Sequence, residues 1–331
     1  MSTQPLPGNL LERLGLKIGH YTDKKNLTGL TAFIAENGAD IGIDIRGSNT
    51  GTFNTPAFAP KASGNTVHAV VLTGGSTFGL ASATGIMEEL SAKEIGNKTR
   101  AAFIPGTTGA VIYDIAVGTN THPGANEGKQ AVHNATDQLP HQGNVGVGTG
   151  ATVGKWWKGK KMKGGFGIGV AYLPQDIIVA AFSVTNCLGD ILNPKTGQFY
   201  SETGKQDAIH SSFGDSLEHL VGTMDLSGNT TLTVVATNVS LGKEQLMKVA
   251  EFTHDGYARA IHPIHTNMDG DIVFAISSRS GERKTFPKMN SLTLVDFIGM
   301  GAQEAVIQAI NSSIKHAESI EGFPSIKMIT Y

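Results

Sequence analysis

The stretch Gly228-Asn229-Thr230-Thr231-Leu232-Thr233-Val234-Val235-Ala236-Thr237-Asn238 runs from a small, flexible dipeptide into a hydroxyl residue and then a β-branched series. Gly-Asn supplies turn angles, and Thr and Val favour strands, so the pattern predicts a turn followed by a strand starting at Thr230. The same stretch carries a chemical reading. If the Asn229–Thr230 bond is cut, Thr230 becomes a chain terminus that holds both a nucleophile and a base. A free α-amine has an unperturbed pKa of ~7.7–8.0, so it can accept the hydroxyl proton near neutral pH.

Outward from this stretch, short apolar runs recur at Leu30–Ile34, Ile41–Ile45, Val67–Thr73, Ala101–Ile104, Gly165–Tyr172, Ile177–Val184 and Ile272–Ser277. Each is bounded by Gly, Asn or Asp and reads as a strand. Helical spacing appears at Gly79–Ile95, Lys243–Ile261 and Ser291–His316. In the second of these, Leu246, Val249, Ala250, Thr253, Tyr257 and Ile261 form one stripe. Strands outnumber helices without strict β-α-β alternation, which predicts an α+β layered architecture. The segment from Asn193 to Gly228 is polar, holds Pro194 and has little periodicity, so it reads as an exposed loop just ahead of Thr230.

Composition narrows the class. The 331 residues are 40% apolar and 16% charged with 42 glycines, which points to a tightly turned fold with a sizeable core. A net charge of −2 gives no global field for nucleic acid or an acidic membrane. The one cysteine, Cys187, excludes an intrachain disulfide and a Cys-based zinc site, and reads as a half-buried thiol. The N-terminus lacks a signal-peptide pattern, and no apolar run reaches the length of about 18 residues that spans a membrane. The expected compartment is the cytoplasm.

Several motifs bear on the chemistry. Leu72-Thr73-Gly74-Gly75-Ser76-Thr77-Phe78-Gly79-Leu80 follows a buried strand and opens a helix, so the N–H groups of Gly74 and Gly75 are candidates for binding an oxyanion. Gly146-Val147-Gly148-Thr149-Gly150 with Gly154-Lys155 fails the phosphate-loop pattern, because Trp156 stands where Ser or Thr is needed. The run with Trp156, Trp157, Lys158, Lys160, Lys161 and Lys163 reads as a solvated hairpin, with Lys155 nearest the glycine turn. Asn267-Met268-Asp269-Gly270-Asp271 fails the calcium-loop register and reads as a turn before a strand. Asp269 and Asp271 at the strand mouth are candidates to hold the Thr230 ammonium or hydroxyl in its attacking rotamer. No Gly-x-Ser-x-Gly elbow occurs, and His262 and His265 around Pro263 match no metal spacing.

Taken together, these segments resemble the L-aminopeptidase/D-esterase (DmpA-type) self-cleaving peptidases, which include β-aminopeptidases and 6-aminohexanoate (nylon) oligomer hydrolases. The resemblance runs from Ile18-Gly19-His20 to the C-terminal helix. It is anchored on Leu72–Leu80, Val111-Ile112-Tyr113-Asp114, Val184-Thr185-Asn186, Asn229-Thr230-Thr231 and His265-Thr266-Asn267-Met268-Asp269-Gly270-Asp271. The last two anchors look closest to the nylon-hydrolase branch.

The resemblance implies a four-layer α/β/β/α sandwich of the N-terminal-nucleophile-hydrolase type. It implies one hydrolase domain over residues 1–331, cut into 1–229 and 230–331 and assembled as a tetramer of cleaved heterodimers or a larger oligomer. By the same resemblance Asn186 helps hold the oxyanion, Tyr113 lines its pocket, Asp269 and Asp271 stand behind the nucleophile, and Lys155 matches a lysine of the nylon-hydrolase branch. The aminopeptidase branch has Ser and Glu where this chain has Asp269 and Asp271. The implied substrate is a small peptide or amide oligomer, and no metal or organic cofactor is needed. Two other readings are an acyltransferase resembling ornithine acetyltransferase and an uncleaved binding protein that keeps the sandwich.

Overall fold

Among the described residues the longest strand crosses a stretch that sequence punctuation divides. In a computed structural model describing residues 6–64, 66–156, 161–200 and 228–328, Thr28–Ile45 forms one strand, β2. Leu30–Ile34 and Ile41–Ile45 read as two separate strands, and Gly38 between them takes a left-handed φ of 78°. The outcome is a register shift between Ile34 and Ala39 instead of a reversal. The first half of β2 pairs with β1 (Lys17–Asp23) and β3 (Val67–Thr73), and the second half pairs with Ile272–Ser278. One strand therefore serves two halves of a nine-stranded sheet.

The remaining main strands are β4 (Thr107–Val111), β5 (Gly165–Leu173), β6 (Ile177–Asn186), β7 (Thr230–Thr237) and β8 (Ile272–Ser278). The order is β5-β6-β7-β8-β2-β3-β4, with β1 beside β2 and Thr52–Phe53 beyond β4. The β7–β8 and β3–β4 pairs are parallel, and the other neighbours are antiparallel. Among the described residues the longer helices are α1 (Ala81–Ala92), α2 (Ala125–His133), α3 (Lys243–Ala260) and α4 (Ser291–Lys315).

Alternation along the strands sorts the core into three clusters, which are the three contacts of a four-layer stack. Val235, Val273 and Ala275 face Leu246 and Val249 of α3 and Ile298 and Ala302 of α4. Leu232, Val234, Ile272 and Phe274 face the opposite way and meet Phe33, Val70 and Leu72 between the two sheet halves. Leu30, Ala32, Ala69 and Val71 face Ala83, Ile86 and Leu90 of α1 and Ala131 of α2. The expected α/β/β/α sandwich is therefore present. The glycines of β5 let a helix approach closely. A Cβ on Gly167 or Gly169 would strike the carbonyls of Ala309 or Ala305, so α4 lies directly on that strand.

The Ala101–Ile104 reading is corrected. Only Phe103–Ile104 is extended, because the Thr99 hydroxyl accepts from the amides of Ala101 and Ala102 and withdraws them from a ladder. Of the loop expected from Asn193 to Gly228, residues 201–227 lie outside the described residues. Among the described residues no helix is long and apolar enough to cross a membrane.

Candidate active site

Strand register gathers the site. Thr230 is the first residue of β7, and its antiparallel partner is Asn186, the last residue of β6. On the other flank β8 runs parallel to β7, with Leu232 opposite Ile272, and Asn229 bridges to Asp269. The ends of three adjacent strands thus bring Asn186, Thr230 and Asp269-Gly270-Asp271 to one edge. All five residues but Gly270 carry polar side chains, and those four are buried. Buried polar groups need partners, and the partners define the chemistry.

In the uncut chain the Thr230 hydroxyl donates to the carbonyl oxygen of Asn229, its own preceding residue. Gly270 N–H donates to the same oxygen at 2.8 Å. One residue upstream, the Gly228 carbonyl accepts from Asn186 Nδ2 at 2.9 Å and from Lys155 Nζ at 3.3 Å. Lys155 also donates to Asn186 O and Oδ1, and Thr152 N–H donates to Asn186 Oδ1 at 3.0 Å. The amide of Asn186 is therefore fixed in orientation, with its NH₂ aimed at the chain ahead of Thr230. Burial pushes Lys155 down to about 8, while Cys187 and Asp269 act in the opposite direction. Gly228 takes a left-handed φ of 83°, and the ring of Tyr113 occupies the space a Cβ would need there.

The two carboxylates act on the frame around the nucleophile. Asp271 Oδ1 accepts from Thr231 N–H at 2.7 Å, and Oδ2 accepts from His265 N–H at 3.2 Å and pairs with His265 Nδ1 at 2.8 Å. Asp269 Oδ2 accepts from Thr266 N–H and Oγ, and Oδ1 accepts from Leu188 N–H. Burial, reinforced by Asp271, raises the Asp269 pKa. In the uncut chain, among the described residues, neither carboxylate bonds the Thr230 hydroxyl, and Asp271 holds the backbone of Thr231.

The glycine turn also differs from expectation. Gly75 N–H donates to Asp114 Oδ1 at 2.7 Å, and Gly74 N–H donates to Gly29 O at 2.8 Å. Both amides are spent on holding the turn, so neither is aimed at a reacting oxygen. Asp114, whose other oxygen accepts from Thr28 Oγ, is raised to about 6 by burial. The lysine run is a hairpin of Thr152–Val153 with Met162–Lys163, but it is not solvated throughout. Lys163 is fully buried and donates to the carbonyls of Gly148, Ala151 and Gly164. Its neighbours 157–160 lie outside the described residues. Cys187 is wholly buried rather than half-buried.

Sequence reading missed three contributors. Pattern alone gives Asp114 no role within its motif, tests His265 only against metal spacing, and makes Gly270 a turn former. Only the fold shows what each touches.

Comparison with known proteins bears on the family and the fold. The family model described as peptidase family S58 matches residues 13–327. An uncharacterized aminopeptidase of Mycobacterium tuberculosis is 30% identical, over 95% of this chain and 95% of its own length. A 6-aminohexanoate-oligomer endohydrolase of Paenarthrobacter ureafaciens is 28% identical, over 82% of this chain and 76% of its own length. Among solved structures, the L-aminopeptidase D-Ala-esterase/amidase of Ochrobactrum anthropi, described as a variant of the Ntn hydrolase fold, aligns with a TM-score of 0.69 at 20% identity. That alignment covers 96% of this chain and 89% of the other.

Proposed function

Because this chain belongs to peptidase family S58, a family of amide-bond hydrolases, we propose that it cuts itself between Asn229 and Thr230 and then hydrolyses amides with Thr230 as an N-terminal nucleophile. The observation that carries the reading is the Thr230 hydroxyl lying on the Asn229 carbonyl at the mouth of three strands. In the mature enzyme the hydroxyl attacks a substrate amide carbon, and its proton passes to the freed α-amine. Asn186 Nδ2 and Lys155 Nζ, released from the Gly228 carbonyl, face the position where a substrate oxygen gathers charge. One such donor is commonly worth ~2.7–4 kcal/mol. The acyl-enzyme is hydrolysed by water. Tyr113 walls the pocket beside Gly228, and Asp271 holds the Thr231 amide so that the terminus stays in place.

The substrate class that fits the relatives is an aminoacyl peptide or a 6-aminohexanoate oligomer, and the working form is a tetramer of cleaved heterodimers. The test is direct. N-terminal sequencing of active protein is expected to find a chain beginning Thr-Thr-Leu-Thr, and Thr230→Ala is expected to remain one uncut, inactive polypeptide. Two fragments from Thr230→Ala refute the assignment.

A further inference from the structure

We infer that the backbone N–H of Gly270 is the oxyanion donor for self-cleavage, and that it is separate from the Asn186–Lys155 pair that faces the substrate. The inference rests on Thr230 being the self-cleaving nucleophile. In the step concerned, Thr230 Oγ bonds to the Asn229 carbonyl carbon while the carbonyl π electrons move onto its oxygen. The oxyanion collapses, the Asn229–Thr230 C–N bond breaks, and the hydroxyl proton ends on the Thr230 nitrogen. Water then cleaves the resulting ester, releasing Asn229 as a carboxylic acid and restoring the hydroxyl. The atom that gathers negative charge throughout is Asn229 O, and Gly270 N–H already stands 2.8 Å from it.

Three features make this a built arrangement. The donor is held on both sides, because Asp269 is tied to Thr266 and Leu188 and Asp271 to Thr231 and His265. The backbone here is also tied to the loop that follows β2, with Arg46 and Gly47 N–H on Asp271 O and Asn49 N–H on Asp269 O. A donor fixed in this way needs no reorganisation as charge develops. Second, residue 270 has to be glycine for closeness. A Cβ would lie 2.8 Å from Thr230 Oγ and 2.6 Å from Asn49 O, so any side chain would press on the nucleophile. Third, Asn186 Nδ2 and Lys155 Nζ both donate to the Gly228 carbonyl, one residue short of the bond to be cut. The uncut chain thus loads its two sets of donors with two different carbonyls. Cleavage releases the second set for an external amide.

The experiment replaces Gly270 by glycolic acid in the full chain, exchanging the N–H for an ester oxygen without adding a Cβ. Fragment formation is followed on denaturing gels, and the junction is identified by mass. The expected result is self-cleavage slowed about 10²–10³-fold. The same exchange at Met268, whose N–H donates to Thr266 Oγ at 3.2 Å, is expected to leave the rate nearly unchanged. Cleavage of the Gly270 ester at the normal rate overturns the inference, and so does equal slowing by the Met268 ester, which would indicate a loosened loop. Unfolding midpoints of both esters in a Thr230→Ala background show whether the fold is kept. If the unmodified chain yields no fragment starting at Thr230, it is the underlying reading of the nucleophile that has failed.

Discussion

Lys155 shows how one residue makes the site depend on pH. Its ammonium donates to three carbonyl-type oxygens, yet burial brings its pKa from 10.5 down to about 8. If the cation stabilises the oxyanion, kcat/KM falls as pH rises through about 8, while the α-amine base needs to lose its proton at ~7.7–8.0 to act. The expected profile is a narrow bell. In Lys155→Arg the guanidinium stays charged, so the rate drops from altered geometry but the descending limb disappears. A limb kept at the same pH in the Arg variant assigns it to another group. Stability has the opposite sign. The folded state penalises the cation, so between about 8 and 10.5 the unfolded chain binds more protons and this lysine makes folding more favourable as pH rises. Activity lost over that window is therefore not unfolding on this lysine's account.

Among the elements, α4 and β5 meet where a single added methyl has no room. Gly169 pairs with Ala181 in mid-strand, away from the Asn186 end of β6, and its Cα faces α4 where Ala309 N and Gln308 Cβ would stand 2.6 Å from a Cβ. Gly169→Ala is expected to lower stability by about 1–3 kcal/mol through overpacking, read from denaturant midpoints, and to leave self-cleavage intact. An unchanged midpoint means that the helix can move off the sheet. At this scale the sequence was most legible. Lys243–Ile261 and Ser291–His316 carry a helical stripe, and α3 and α4 end within a residue of those limits, because an amphipathic pattern over several turns has one solution. The strand at Thr230 was equally plain from its β-branched run. What the pattern could not carry was the single strand across Asn37-Gly38, since a bulge and a reversal use the same residues. Nor could it place Lys163, which reads as a surface lysine until three carbonyls converge on it, or show that Gly74 and Gly75 spend their amides on Gly29 and Asp114. Those facts depend on contacts between segments far apart in sequence, on which local pattern is silent.

At the scale of the whole molecule, the proposed cut falls where it frees an end without freeing a piece. The segment 230–331 contributes β7 and β8, and these stand between β6 and β2, both of which belong to 1–229. The small fragment is therefore hydrogen-bonded along both margins. One face of its strands lies in the inter-sheet core with Phe33 and Leu72, and its helix α4 lies on β5 of the large fragment. Breaking one peptide bond at the first residue of β7 removes none of these contacts, and separating the fragments would expose core on two faces of the sheet. After complete cleavage the two fragments are expected to co-elute in equal amounts on gel filtration under native conditions and to part only in denaturant, where mature protein unfolds in one transition. A free small fragment under native conditions would mean that the covalent link, rather than the sandwich, holds β7 in the sheet. Thr230 would then lack the rigid frame its chemistry requires.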